Sequence, residues 1–131
     1  MSPIKRTRAL RLSRHIFPVI LLGILSETSQ AQDLKPGESL FQVCVACHST
    51  KAGEQGMGPS LAGIFGRQAA SQPGFRYSSA LKKTGVAWNE QSLNAYLADP
   101  QAFAPGNRMP YSGMPDATER TDLIAYLKTL K

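Results

Sequence analysis

The chain has 131 residues, of which 42% are hydrophobic and 18% charged, enough for one packed domain and no more. Its formal net charge of +6 is concentrated near the N-terminus: without Lys5, Arg6, Arg8, Arg11, Arg14 and Glu27, residues 32–131 hold 10 Lys/Arg against 8 Asp/Glu. No basic run remains there, which excludes a nucleic-acid surface built on bulk charge.

Residues 1–31 read as a secretory signal peptide. The five basic residues form its leading region, Ile16 to Leu25 is a short apolar run, and Ser29-Gln30-Ala31 places small residues before a cleavage point at Gln32. The apolar run falls short of the ~20 residues that span a bilayer. An uncleaved anchor is the competing reading, but it would leave only a few residues of tether for a domain that must reach partners. The expected domain is therefore residues 32–131, with no membrane span after cleavage.

The next element is a helix expected over Lys35 to His48, with Leu40, Phe41, Cys44 and Val45 on one face. It carries Cys44-Val45-Ala46-Cys47-His48, a C-x-x-C-H haem-attachment motif. Two thiols at this spacing can add to two vinyl groups of one haem, and the following His48 is then held under the iron as an axial ligand. These are the only two cysteines, and His48 is one of two histidines, the other being His15. A disulfide, a redox dithiol and half a zinc site compete for the motif. Zinc needs four N or S ligands, which the chain supplies only by recruiting His15. A thioredoxin-like dithiol needs a βαβ context, and strand-like alternation is missing. Covalent haem attachment in bacteria is completed outside the cytoplasmic membrane, so the motif and the export signal support one another.

Thr50 to Ser79 is rich in Gly, Pro and Ser and is expected to be loop. A short helix is expected over Ser79 to Lys83. Asn89 is suited to cap a helix through Leu93, Tyr96 and Leu97 that Pro100 stops. Gln101 to Pro115 carries Pro105, Pro110 and Pro115 with Gly106 and Gly113, and is expected to be loop. Asp116-x-x-Glu119 resembles a capping box opening a last helix with Leu123, Ile124, Tyr126, Leu127 and Leu130. The expected class is all-α, without internal repeats.

From about Gly37 to Leu130 the chain resembles a class I cytochrome c of the mitochondrial and small bacterial kind. The matching pieces are Cys44-x-x-Cys47-His48, Gly58-Pro59, Gly63-Ile64-Phe65-Gly66-Arg67, Gly74-Phe75-x-Tyr77-Ser78, Trp88, Tyr96-Leu97, Pro105-Gly106-x-x-Met109 and Asp122 to Leu127. The resemblance implies the cytochrome c fold, with short helices and loops around one haem c attached through Cys44 and Cys47. It implies Met109 as the second axial ligand of the iron, opposite His48. Met57 and Met114 are the rivals: Met57 is close to His48 in sequence, and Met114 falls where the family has an apolar packing residue. The resemblance further implies that the Pro59 carbonyl accepts the other N–H of His48 and that Tyr96 hydrogen-bonds the ligand sulfur. Tyr77, Trp88 and Arg67 match residues at the haem propionates. Phe41, Leu123 and Tyr126 are read as packing between the first and last helices.

Three departures accompany these matches. The segment between His48 and Pro59 is one residue shorter than in mitochondrial members. Leu81 stands where the family commonly has an Asn near the inner propionate. Val43, Gln101, Ala102, Pro115 and Asp116 replace the lysines that ring the haem edge in mitochondrial members, while Arg108 keeps its charge and Lys82 and Lys83 lie elsewhere. Steering needs a concentrated patch of one sign, so docking is expected to depend weakly on salt, with Pro110 and Tyr111 making a smaller, more apolar contact.

The resemblance thus implies an exported, periplasmic, monomeric electron carrier that exchanges single electrons with redox proteins such as a membrane cytochrome complex, an oxidase, a dehydrogenase or a reductase. No base is paired with a nucleophile, so no catalytic residue is expected. Two other readings share the same motif. One is a dedicated haem subunit of a periplasmic dehydrogenase or reductase. The other is a ligand-binding or peroxidatic haem protein with a labile Met109.

Overall fold

The structure, a computed structural model, describes residues 33–131, so the expected signal segment and His15 lie outside the described residues. Five helices follow one another: α1 (Lys35–Phe41), α2 (Ser79–Thr84), α3 (Glu90–Ala98), α4 (Pro100–Phe103) and α5 (Ala117–Leu127). The described residues contain no strand, only an isolated antiparallel bridge between Gln68 and Ala87. None of their helices is long and apolar enough to cross a membrane. The all-α expectation holds.

Helix α1 is shorter than expected. It ends at Phe41, and the chain continues in tight turns: the N–H of Cys44 donates to the Phe41 carbonyl at 2.8 Å and that of Cys47 to the Cys44 carbonyl at 3.1 Å. These three-residue steps rotate the following side chains off the α-helical face. Val45, expected on the buried face, is consequently 49% exposed.

Helix α3 begins as its sequence suggests. The Asn89 side chain accepts from the Ser92 N–H, and the Ser92 hydroxyl returns to the Asn89 N–H at 2.9 Å, a reciprocal capping box. Pro100 ends α3 but also starts α4, a single turn where loop was expected. Both effects have one cause: Pro lacks the N–H that would continue α3, and its fixed φ suits a first helical position. Asp99 completes α4 by accepting from the N–H groups of Gln101 and Ala102 at 3.1 and 2.9 Å. At α5 the Asp116 carboxylate accepts from Thr118 and Glu119 N–H. The Glu119 side chain makes no return bond, so this end has an N-cap and only half of the expected box.

The core is organised by the crossing of α1 and α5. Gly37 is buried against α5, where an added Cβ would lie 2.8 Å from the Tyr126 Cβ and closer still to the Asp122 carbonyl oxygen. Only a residue without a side chain permits this approach. Next to it Phe41 and Leu123 are each 1% exposed, and the rings of Phe41 and Tyr126 meet at 5.1 Å between centroids. This agrees with the packing role expected of the three residues. A second cluster joins α3 to α4 through Trp88, Tyr96 and Phe103, with centroid distances of 5.0 to 6.1 Å. Lys128 ties the end of α5 to Glu90 of α3 and lies 5.1 Å from the Phe65 ring centroid.

Candidate haem site

The turns after α1 set Cys44, Cys47 and His48 close together, with the His48 N–H donating to the Cys44 carbonyl at 2.9 Å. The two cysteines are free and half-buried. Burial pushes the Cys44 thiol up, and the neighbouring Cys47 pushes it further the same way. An activated redox dithiol needs the opposite, a thiolate favoured at neutral pH. Among the described residues no group of three or more His, Cys, Asp or Glu is arranged to hold a metal ion. The activated dithiol and the disulfide therefore lack support among the described residues, while the zinc reading would need His15, which lies outside them.

The loop from Ser49 to Leu61 carries a carbonyl back to His48. Leu61 N–H donates to the Ser49 carbonyl at 2.8 Å, the Ser60 hydroxyl to the Lys51 carbonyl at 2.7 Å, and Gly58 N–H to the Cys47 carbonyl at 2.8 Å. With the loop closed, Nδ1 of His48 donates to the Pro59 carbonyl at 2.7 Å. A carbonyl can only accept, so Nδ1 carries a proton in this bond and Nε2 is the ring nitrogen left for a metal. Gly58 lies against the imidazole ring, where an added Cβ would stand 2.6 Å from Nδ1 and 2.9 Å from Nε2. The ring is thus held by a hydrogen bond and by contact.

Met109 follows Pro105 and Gly106 in the chain between α4 and α5. Its side chain is half-buried, and the Tyr96 hydroxyl donates to its Sδ at 3.8 Å, a distance ordinary for sulfur. Burial pushes the Tyr96 phenol up to about 12, so it remains a donor at neutral pH. The rival methionines are differently placed. Met57 is 78% exposed, and Met114 is 6% exposed within the core, its N–H bonded to the Leu97 carbonyl at 2.8 Å.

Arg67 and Trp88 are brought side by side by an irregular backbone pairing. Gly66 N–H donates to the Trp88 carbonyl at 2.6 Å and Trp88 N–H to the Arg67 carbonyl at 2.9 Å. The Arg67 guanidinium is no solvated surface group. It donates through Nη1 to the Ala62 carbonyl at 2.8 Å and to Gln72 Oε1 at 3.0 Å, and through Nη2 to the Ser60 carbonyl at 2.8 Å. Its Nε is buried without a partner among the described residues. Tyr77 lies near it: burial raises the phenol, and the Arg67 charge acts in the opposite direction. Leu81 is 8% exposed in the core cluster, so an apolar side chain occupies that position as the sequence requires.

Sequence reasoning missed the structural roles of four residues that shape this region. Ser60, fully buried, fastens the loop behind Pro59. Arg120 grips the Met114 and Pro115 carbonyls at 2.7 and 2.8 Å and Asn94 at 2.8 Å. Asn107 and Gln101 bond the backbone around Met109. An Asn between Gly and an ordered loop residue was the only available cue, and it marks turns in general.

The donor set suits a haem. An imidazole nitrogen and a thioether sulfur each have their orientation fixed by a second hydrogen bond, two thiols adjoin the imidazole, and the unpartnered Arg67 Nε is a buried donor of the kind an acidic group satisfies. Comparison with known proteins agrees. The cytochrome c family profile matches residues 34–131. The chain is 47% identical over 90 residues to cytochrome c2 iso-2 of Magnetospirillum fulvum, covering 69% of this chain and 94% of that protein. It is 39% identical over 114 residues to cytochrome c2 of Blastochloris viridis, covering 86% of this chain and 90% of that one. The solved structure of cytochrome cH from Methylobacterium extorquens superposes with a TM-score of 0.69 at 40% identity, over 75% of this chain and 99% of that chain. With fold, motif and relatives in agreement, the chain belongs to the cytochrome c family and binds one haem c covalently through Cys44 and Cys47.

Proposed function

We propose that this electron carrier shuttles single electrons between redox proteins outside the cytoplasmic membrane, with its haem iron held between Nε2 of His48 and Sδ of Met109. When bound, the haem supplies the one-electron couple of its iron. The chain supplies the two ligand atoms and keeps each from turning away. The observation that carries the reading is the 2.7 Å bond from His48 Nδ1 to the Pro59 carbonyl. It fixes the tautomer and makes Nε2 a more basic donor. On the other side Tyr96 orients the Met109 sulfur. A soft thioether opposite an imidazole raises the potential relative to harder donors.

In this reading Arg67, Tyr77 and Trp88 hold the haem propionates. The buried free Nε of Arg67 supports that role. With His48 Nε2 and Met109 Sδ both bound to the iron, small ligands would be kept off it, and no residue is assigned a catalytic role. Residues 1–31 act as a signal peptide, and the carrier works as a monomer in the periplasm. Its partners are a membrane cytochrome complex, an oxidase, a dehydrogenase or a reductase.

The test is the visible spectrum of the matured protein, oxidised and reduced, with and without carbon monoxide. A low-spin spectrum that ignores carbon monoxide is expected. Ready binding by the reduced protein would sink Met109 ligation at rest and put a ligand-binding function in its place. N-terminal sequencing of the same material should begin at Gln32.

A further inference from the structure

We propose that Asn107, braced by Gln101, is the positioning residue that holds the Met109 loop in its ligating shape, so that the sulfur's place is built into the protein before the iron bond forms. The proposal rests on the reading of Met109 as a ligand and deepens it.

Asn107 is 8% exposed, and both ends of its amide are in use. Nδ2 donates to the Pro100 carbonyl at 2.6 Å and to the Ala104 carbonyl at 3.2 Å. Oδ1 accepts from the backbone N–H of Met109 at 2.9 Å. The partners fix the orientation of the amide, because two carbonyls require the NH2 and an N–H requires the oxygen. One side chain therefore ties both ends of α4 to the residue that bears the sulfur. Gln101 works from the outside of the same turn. Its Nε2 donates to the Asn107 carbonyl at 3.2 Å, and its Oε1 accepts from the Gly106 N–H at 3.2 Å.

The Pro100 and Ala104 carbonyls also accept from the backbone N–H groups of Ala104 and Asn107 at 3.0 and 2.9 Å, but the Met109 and Gly106 N–H groups and the Asn107 carbonyl are served by these two amides. The brace spans only Pro100 to Met109, and neither amide has a bond to α2, which turns the apolar Leu81 into the core. Opening the loop to release the sulfur requires several of these bonds to break together, and at 8% exposure Asn107 is poorly placed to exchange them for bonds to solvent. The brace thus biases the equilibrium between a closed loop and an open one in which the iron accepts an outside ligand.

The test uses the matured haem protein in two measurements: imidazole affinity in the oxidised state, titrated by visible absorbance, and hydrogen exchange at the Met109 and Gly106 amides. The variants are Asn107→Ala, Asn107→Asp and Gln101→Ala. Met109→Ala sets the open limit, and Ile124→Val, a core change in α5, gives a remote destabilisation. Asn107→Ala is expected to bind imidazole about tenfold more tightly and to exchange both amides about tenfold faster. Asn107→Asp keeps an acceptor for Met109 but places a carboxylate against two carbonyls, so it should follow Asn107→Ala. Gln101 is exposed, and its replacement is expected to raise affinity about threefold. This variant carries the test if the Asn107 variants do not retain haem. Ile124→Val should leave imidazole affinity unchanged.

Affinities within twofold of the parent for the Asn107 and Gln101 variants, beside a strongly binding Met109→Ala, would overturn the brace while leaving the ligand in place. Equal gains in Ile124→Val would overturn it too, since general stability would then explain the effect. If Met109→Ala binds imidazole no better than the parent, the ligand assignment itself fails.

Discussion

Tyr96 on α3 donates its hydroxyl proton to Sδ of Met109 at 3.8 Å, joining the aromatic cluster of Trp88 and Phe103 to the loop that carries the proposed ligand. The phenol turns the positive end of its dipole toward the sulfur. Tyr96→Phe removes that end and should stabilise the more positive, oxidised iron. With a neutral hydrogen bond contributing about 1 kcal/mol and a tenfold change equal to 59 mV for one electron, the potential should fall by up to roughly 40 mV. Redox titration of the two proteins checks both sign and size. An unchanged or higher potential would contradict this orientation of the phenol.

The same residue makes stability depend on alkaline pH. Burial pushes Tyr96 up to about 12, whereas an unfolded tyrosine titrates near 10. The folded protein keeps a proton that the unfolded chain releases, so this contribution is whole below pH ~10 and is lost as pH rises from there through about 12. Denaturation midpoints should decline across that window, and Tyr96→Phe should flatten the decline. Tyr77 and Tyr111 are also raised by burial, so some slope should remain.

Gly58→Ala tests how closely the imidazole is packed. A Cβ there would lie 2.6 Å from Nδ1 of His48, and neither the ring nor the loop pinned at Ser60 can retreat without losing the bond to the Pro59 carbonyl. The variant should mature with less haem and lose roughly 1–3 kcal/mol of stability. The ratio of haem absorbance to protein in purified material measures the first effect and guanidinium unfolding the second.

Gly37→Ala addresses the crossing of α1 and α5. The added methyl meets the Asp122 carbonyl and Tyr126 Cβ, both part of a packed helix. Pushing the helices apart also loosens Phe41 against Leu123, and the expected cost is about 2–4 kcal/mol. Because the haem ligands are not touched, the spectrum of the folded fraction should stay that of the parent. A variant as stable as the parent would show that the crossing tolerates a wider spacing.

Docking should respond weakly to salt. Val43, Val45 and Met57, beside the haem-attachment segment, are 63%, 49% and 78% exposed, and none of the three carries charge. Arg108 is the only ionised side chain between Asp99 and Asp116. Without a concentrated basic patch beside the haem-attachment segment among the described residues, the rate of electron transfer to an acidic partner should change by no more than about threefold between low salt and ~0.2 M. Stopped-flow rates against ionic strength decide this, and a steep fall would mean that the exposed cations act together after all.

The chemistry was legible in the sequence because its cues are local. Cys44, Cys47 and His48 announce themselves within five residues, and the resemblance around Pro105 to Met109 points to the second ligand. Asn89 caps α3 across a single turn, as its residue type suggests, and Ser92 adds a return bond that was not expected. The same local cues misjudged the end of α1, where three-residue turns replace helix after Phe41, and missed α4, because Pro100 was read only as a stop. They also gave no sign that Glu119 leaves its half of the cap unmade.

By itself, then, the sequence determined the haem-attachment motif, the helical class and the residues worth examining. The resemblance already pointed His48 to the Pro59 carbonyl, and the structure sets that bond at 2.7 Å; tertiary structure alone decided that Arg67 keeps a buried Nε without a partner among the described residues and that Asn107 and Gln101 lace the loop before Met109. The reason is reach. Capping preferences act over three or four residues at fixed spacing, whereas the direction of an amide or guanidinium is set by whichever backbone groups the folded loops deliver to it, at irregular separations that reach seven residues for Arg67 and Asn107 and eleven for His48.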